Sequence, residues 1–204
     1  MTDKCGQDGR ISRRTLLRAG AIGVGTLGIT PPAAARGRGV TTQTEDVFGQ
    51  GPGGDVVAED GATLRRTKNG VSMSLSMPTP EPGTYEYPES GVFSGPGHPE
   101  AFTLWGFVFD PDQPPFDPPD AGWSGVFGVT GHVVGGSHLN LSGNISRNTE
   151  PFAGENLTNP EEAEVHLAVA PHGGLDPELM PEQIQTPTGP GPDIWWIALF
   201  DPPE

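Results

Sequence analysis

Proline and glycine decide what this chain can fold into. They number 24 and 31 of 204 residues, together at the lower edge of the range that marks low-complexity, disordered chains. Proline has no amide donor and glycine costs entropy wherever it is ordered. Punctuation this dense excludes long helices. The apolar residues sit in short bursts between these breaks, the pattern of an all-β domain with long loops.

Several bursts read as strands. Val71-Ser72-Met73-Ser74-Leu75-Ser76-Met77 alternates strictly, and Pro78 and Pro80 stop it. Thr84–Tyr87 reads as a further short strand. Ala101–Phe109 and Ile194–Phe200 are apolar at almost every position, so both faces need cover and the latter belongs near a sheet centre. The proline-rich segment 110–120 is a stiff acidic loop. Val126–Val134 and His138–Ile145 predict a hairpin around Gly135-Gly136. Glu164–Val169 alternates, with Val165, Leu167 and Val169 inward. Asp176–Ile184 offers an Asp cap followed by Pro177, the best candidate for one short helix. The expected fold is an all-β sandwich or partly open antiparallel barrel of six to nine strands. It occupies residues 63–204 and follows a polar, flexible lead-in at 36–62.

Residues 1–35 have a different composition. Ser12-Arg13-Arg14-Thr15-Leu16-Leu17-Arg18 precedes a weakly apolar, Gly- and Ala-rich stretch ending at Pro31-Pro32-Ala33-Ala34-Ala35. This charged, apolar, small-residue order is that of a secretory signal helix. The paired arginines resemble the twin-arginine pattern, which implies export of a folded chain by the Tat translocase. Ala33 and Ala35 mark the expected cut. The apolar run is too short to span a bilayer, so cleavage leaves no stable membrane span; retention as an N-terminal anchor is the alternative. A secreted or cell-surface location follows.

Cleavage would remove Cys5, the only cysteine, and with it any disulfide. It would also remove five of eleven basic residues and two of 26 acidic ones, leaving 6 against 24, a net charge of −18. Such a surface repels nucleic acid, which needs a basic footprint. The carboxylates are spread along the chain, and Lys68 is the sole remaining lysine. That distribution suits a surface solvated at very high salt better than a patch for a cationic partner. It resembles proteins of salt-loving archaea.

The histidines are the one constellation that suggests chemistry. In the predicted hairpin, pairing odd residues with odd ones places His132 and His138 on one polar face. His166 shares a face with Glu164, and His172 follows Pro171. Convergence of these four imidazoles and the carboxylate would suit zinc or copper. The competing readings are a hydrogen-bonded structural cluster or plainly solvated rings. The carboxylates Asp110, Asp112, Asp117 and Asp120 lack the spacing of a calcium loop and read as solvated loop charges. Asn140, Asn144 and Asn156 each begin a glycosylation sequon. The tyrosines and tryptophans are aromatic candidates for sugar contacts, but Trp195 and Trp196 read as core. With no Gly-x-Ser-x-Gly elbow, phosphate loop or surviving cysteine nucleophile, no catalytic residue is identified.

Three segments carry a resemblance: Thr103–Phe109, Gly131–Val134 and Ala163–Gly173. They are similar to a group of uncharacterised secreted prokaryotic β-domain proteins, and His166–Gly173 is faintly similar to CHRD-type extracellular domains. The resemblance implies fold and compartment and supplies no mechanism. The expected function is a non-catalytic surface or secreted binding or structural module. The alternative is a metal-dependent enzyme or metal-binding protein using His132, His138, His166 and Glu164, with His172 as a further ring.

Overall fold

The computed structural model describes residues 40–49, 54–81, 92, 98–116, 122–134, 136–186 and 195–204. Arg13, Arg14, Ala33 and Ala35 lie outside them, as do Thr84–Tyr87, Asp117 and Asp120. Nine strands form one antiparallel sheet: β1 Thr41–Gly49, β2 Val56–Thr67, β3 Gly70–Pro78, β4 Glu100–Phe109, β5 Gly125–Val134, β6 His138–Ser146, β7 Ala153–Gly154, β8 Glu164–Gly174 and β9 Trp196–Phe200. Their spatial order is β6-β3-β2-β1-β9-β8-β4-β5-β7. The sheet curls into a half-barrel.

Strand β3 fulfils its alternation: Val71, Met73, Leu75 and Met77 are buried, and Ser72 and Ser74 are exposed. β9 is fifth of nine in the order, and all its residues are buried or half-buried, as an all-apolar strand requires. The inward side chains of eight strands fill the concave side, with Phe102, Leu104, Leu139 and Phe200 fully buried. No helix among the described residues is long and apolar enough to cross a membrane.

Three expectations are corrected. Residues 41–49 and 56–62 are not a lead-in. β1 runs beside β2 and joins it to β9. β1 is only sparsely apolar, and its place is set by neighbours on both sides. β5 and β6 do not form a hairpin, either. β6 pairs along its length with β3, from Pro78↔His138 to Gly70↔Ser146, while β5 pairs with β4 and, at one end, β7. Finally, the Asp176–Ile184 segment is a series of turns ending in a 3-10 turn at Glu182–Ile184.

Where the curl brings β6 over β5, packing rather than backbone pairing makes the contact. A Cβ added at Gly143 would lie 2.5 Å from Val129 Cγ1 and 3.0 Å from its carbonyl oxygen. Only glycine permits that approach.

Three polar clasps tie the strands to loops. Arg66, fully buried, donates through Nη2 to the carbonyls of Ala163 (3.0 Å) and Asp201 (3.1 Å). Its Nε and Nη1 have no hydrogen-bond partner, and burial pushes its pKa down to about 10. Asp110 is buried as well, not a solvated loop charge. Its carboxylate accepts from the backbone N–H of Thr158, Asn159 and Asp112 and from the Thr158 hydroxyl. Burial pushes its pKa up, but these donors outweigh burial and hold it below the usual value. The third clasp is Gln183, which donates to the carbonyls of His172 and Gly174 and accepts from Asp176 N–H.

Candidate binding face along β4

The histidines do not converge. Among the described residues no group of three or more His, Cys, Asp or Glu side chains is placed to hold a metal ion. His138, at the start of β6, is exposed and lies opposite Pro78. His132 is exposed and opposite Phe102; His166 lies opposite Phe107, five residues further along β4. At strand spacing that offset is about 17 Å. His172 is fully buried, its Nε2 2.8 Å from Thr103 Oγ1, and the Thr103 hydroxyl donates to Ile184 O at 2.9 Å. The hydroxyl's single proton is thereby used. His172 Nε2 must therefore donate, and a protonated ring nitrogen cannot ligate a metal. His172 anchors the 3-10 turn.

Only His166 and Glu164 meet, Nε2 to Oε1 at 2.6 Å, both about a quarter exposed. This part of the face reading holds because the two residues are two apart on a strand. The sequons are accessible: Asn140, Asn144 and Asn156 are exposed, although Asn140 Oδ1 accepts from Ser76 Oγ at 2.8 Å.

The feature the sequence concealed is the outer side of β4. Thr103, Trp105, Phe107 and Phe109 alternate with the inward Phe102, Leu104 and Val108. Each outer ring carries a second ring. Phe152 meets Trp105 edge-on at 5.4 Å. Trp123 and Trp195 each lie 6.1 Å from Phe107, and His166 lies 4.5 Å from Phe109. Phe116 stacks on Trp123 at 5.0 Å. From Thr103 to Phe109 the strip runs roughly 20 Å.

Trp105, Phe107, Trp123 and Trp195 belong to a cluster separate from the barrel core, with Val126, Ala168 and Ile197 beneath and between them. Neighbouring strands set the spacing: Trp105↔Ala168↔Ile197 is one cross-strand row and Phe107↔His166↔Leu199 the next. Small Ala168 leaves space beside the large indole. Trp105 itself is buried, and its indole Nε1 has no hydrogen-bond partner. Trp123 and Trp195 are half-buried; Phe116 and Phe152 are exposed, Phe152 at 57%. Trp195 is therefore a surface ring of this strip, whereas Trp196 packs against the core as expected.

At the Thr103 end the strip opens into a groove of about 440 Å³. Trp105, Gly128, Gly131, Glu150, Phe152 and Gln185 line it, among others. Gly131 allows the 3-10 turn to close in, because a Cβ there would lie 2.4 Å from Ile184 Cβ. Beyond Phe152 and Glu150 lies a second, more polar recess reaching Asn148 and Asn156.

A period-two reading finds Trp105 and Phe107 but does not say that the second aromatic layer comes from Phe116, Trp123, Phe152, His166 and Trp195. The signal available was Phe152 itself, a large ring between Pro151 and Ala153 outside any longer apolar run.

No family model, curated protein or solved structure matches this chain.

Proposed function

We propose that this domain is an exported, non-catalytic binding module that engages its partner through the aromatic strip along β4. One observation carries the reading. The concave side is filled by side chains, while a row of rings is kept on the convex side with Phe116 and Phe152 exposed. Folding alone gains little from exposed rings, and contiguous exposed apolar groups mark interaction sites. The catalytic reading has only the His166–Glu164 pair to build on. It has a ring nitrogen and a carboxylate in contact, and among the described residues no group of three or more His, Cys, Asp or Glu side chains is placed to hold a metal ion.

The twin-arginine pattern supports a surface or secreted location, with the Tat translocase as the partner during export. The acidic composition supports work in concentrated salt, where surface repulsion is screened. The test is co-sedimentation of the full chain with isolated cell envelopes in high salt, beside a screen for hydrolysis of ester, peptide and glycoside substrates. Binding lost in Phe116→Ala/Phe152→Ala, without turnover, is the expected result. Turnover that disappears in His166→Ala and Glu164→Gln would replace this reading with an enzymatic one.

A further inference from the structure

We infer that the ligand of this face is a neutral oligosaccharide or polysaccharide, seated in the groove between Trp105, Phe152 and Gln185. The inference rests on the binding-module reading above and gives its ligand a chemical class. A sugar ring presents an apolar C–H face and a rim of hydroxyls. The groove offers the matching pair: the exposed Phe152 ring, and the Glu150 carboxylate and Gln185 carboxamide, both on exposed residues. Aromatic faces take the C–H side, and carboxylate and amide groups take hydroxyl protons.

Charge narrows the class. Glu150 lines both the groove and the adjoining recess and Glu155 lines the recess, with no lysine or arginine among the lining residues of either, so an anionic polymer would meet carboxylates at contact and no cation to pair with. Sulfated, phosphorylated or uronic polymers would be repelled. A lipophilic small molecule would be poorly enclosed, because the groove is open and mixes rings with polar groups.

Length follows from the second recess. It shares Glu150, Pro151 and Phe152 with the groove and continues past Asn148 and Asn156. A chain of sugars can cross Phe152 from one to the other, where a single sugar fills only one. Gly128 keeps the floor low: a Cβ added there would lie 3.6 Å from the Trp105 ring, in ordinary contact, and would raise the floor without displacing it.

The test is electrophoresis of the folded full chain through native gels containing a neutral β-glucan, α-mannan or galactan, with alginate as the anionic control. At least one neutral polymer should retard the protein, and alginate should not. Phe152→Ala and Glu150→Gln should each weaken retardation by about tenfold or more, with unchanged thermal midpoints. His138→Ala, on β6, should leave retardation unaltered. The inference is overturned if no neutral polymer retards the chain, if alginate retards it equally, or if retardation survives Phe152→Ala. If envelopes still bind a chain that no polysaccharide retards, only the ligand class falls. If envelopes do not bind either, the binding-module reading falls with it.

Discussion

Strand β4 has two sides built from the same kinds of residue and put to different use. Inward, Phe102, Leu104 and Val108 meet side chains from the rest of the half-barrel and lose all contact with water. Outward, Trp105, Phe107 and Phe109 meet a thin layer of rings, some held on loops, and that layer stays partly wet. Hydrophobic stabilisation scales with area removed from water, so the inner side carries the fold. The outer side places aromatic residues where burial is incomplete, and the proposed binding function rests on that difference.

Substitutions should separate the two sides by size of effect. Leu104→Ala, fully buried, should cost about 2–5 kcal/mol in denaturant unfolding, since it leaves a cavity among fixed neighbours. A cost under about 1 kcal/mol would mean the inner side is loosely packed. Gly143→Ala should cost about 1–3 kcal/mol by pushing Val129 away, and it would show that the β5–β6 contact is part of the closed core.

The Asp110 clasp joins loops to the inner side, and its effect depends on pH. Its folded carboxyl ionises below the unfolded value. The stabilisation is therefore fully present above the unfolded pKa, near 4, and is lost as pH falls through the folded one. Asp110→Asn should cost about 2 kcal/mol at neutral pH and flatten the acid limb of the stability profile. Phe152→Ala belongs to the outer side. At 57% exposure it should move stability by less than about 1 kcal/mol while removing envelope binding.

The smallest effect is expected at Glu45. Burial first, then Asp201, Asp46 and Asp60, push its carboxyl up. A raised acid stabilises the fold below its unfolded pKa, and that contribution is lost as pH rises through the folded value. Glu45→Gln should therefore gain a few tenths of a kcal/mol at neutral pH and low salt, with the part due to Asp201, Asp46 and Asp60 lost in concentrated salt and the part due to burial remaining. A gain unchanged by salt would remove the repulsion account.

Much of the inner side was legible in the chain. Val71–Met77, Ala101–Phe109 and Val165–Val169 carry their burial in their own alternation or apolarity. β1 was not legible, because Thr41–Glu45 are polar and become strand only through pairing with β2. The β5–β6 pairing failed for a related reason. Period two says which side chains share a face, but not which strand lies alongside, and β6 found β3 instead. At the site, two-residue spacing brought Glu164 and His166 together. His172 escaped because both faces of β8 are covered there, burying even its polar residues. Asp110 reads as a loop charge until Thr158 and Asn159, 48 and 49 residues later, supply its donors. Long-range closure is what local sequence does not encode.

Amide hydrogen exchange of the full chain, with and without saturating envelope material, tests the division of β4 most directly. Protection is expected at residues 103–109, 126–131, 150–153 and 195–199, the outer strip and its loops. Protection concentrated on β6, β3 and β2 instead, or none on any strand, would contradict it.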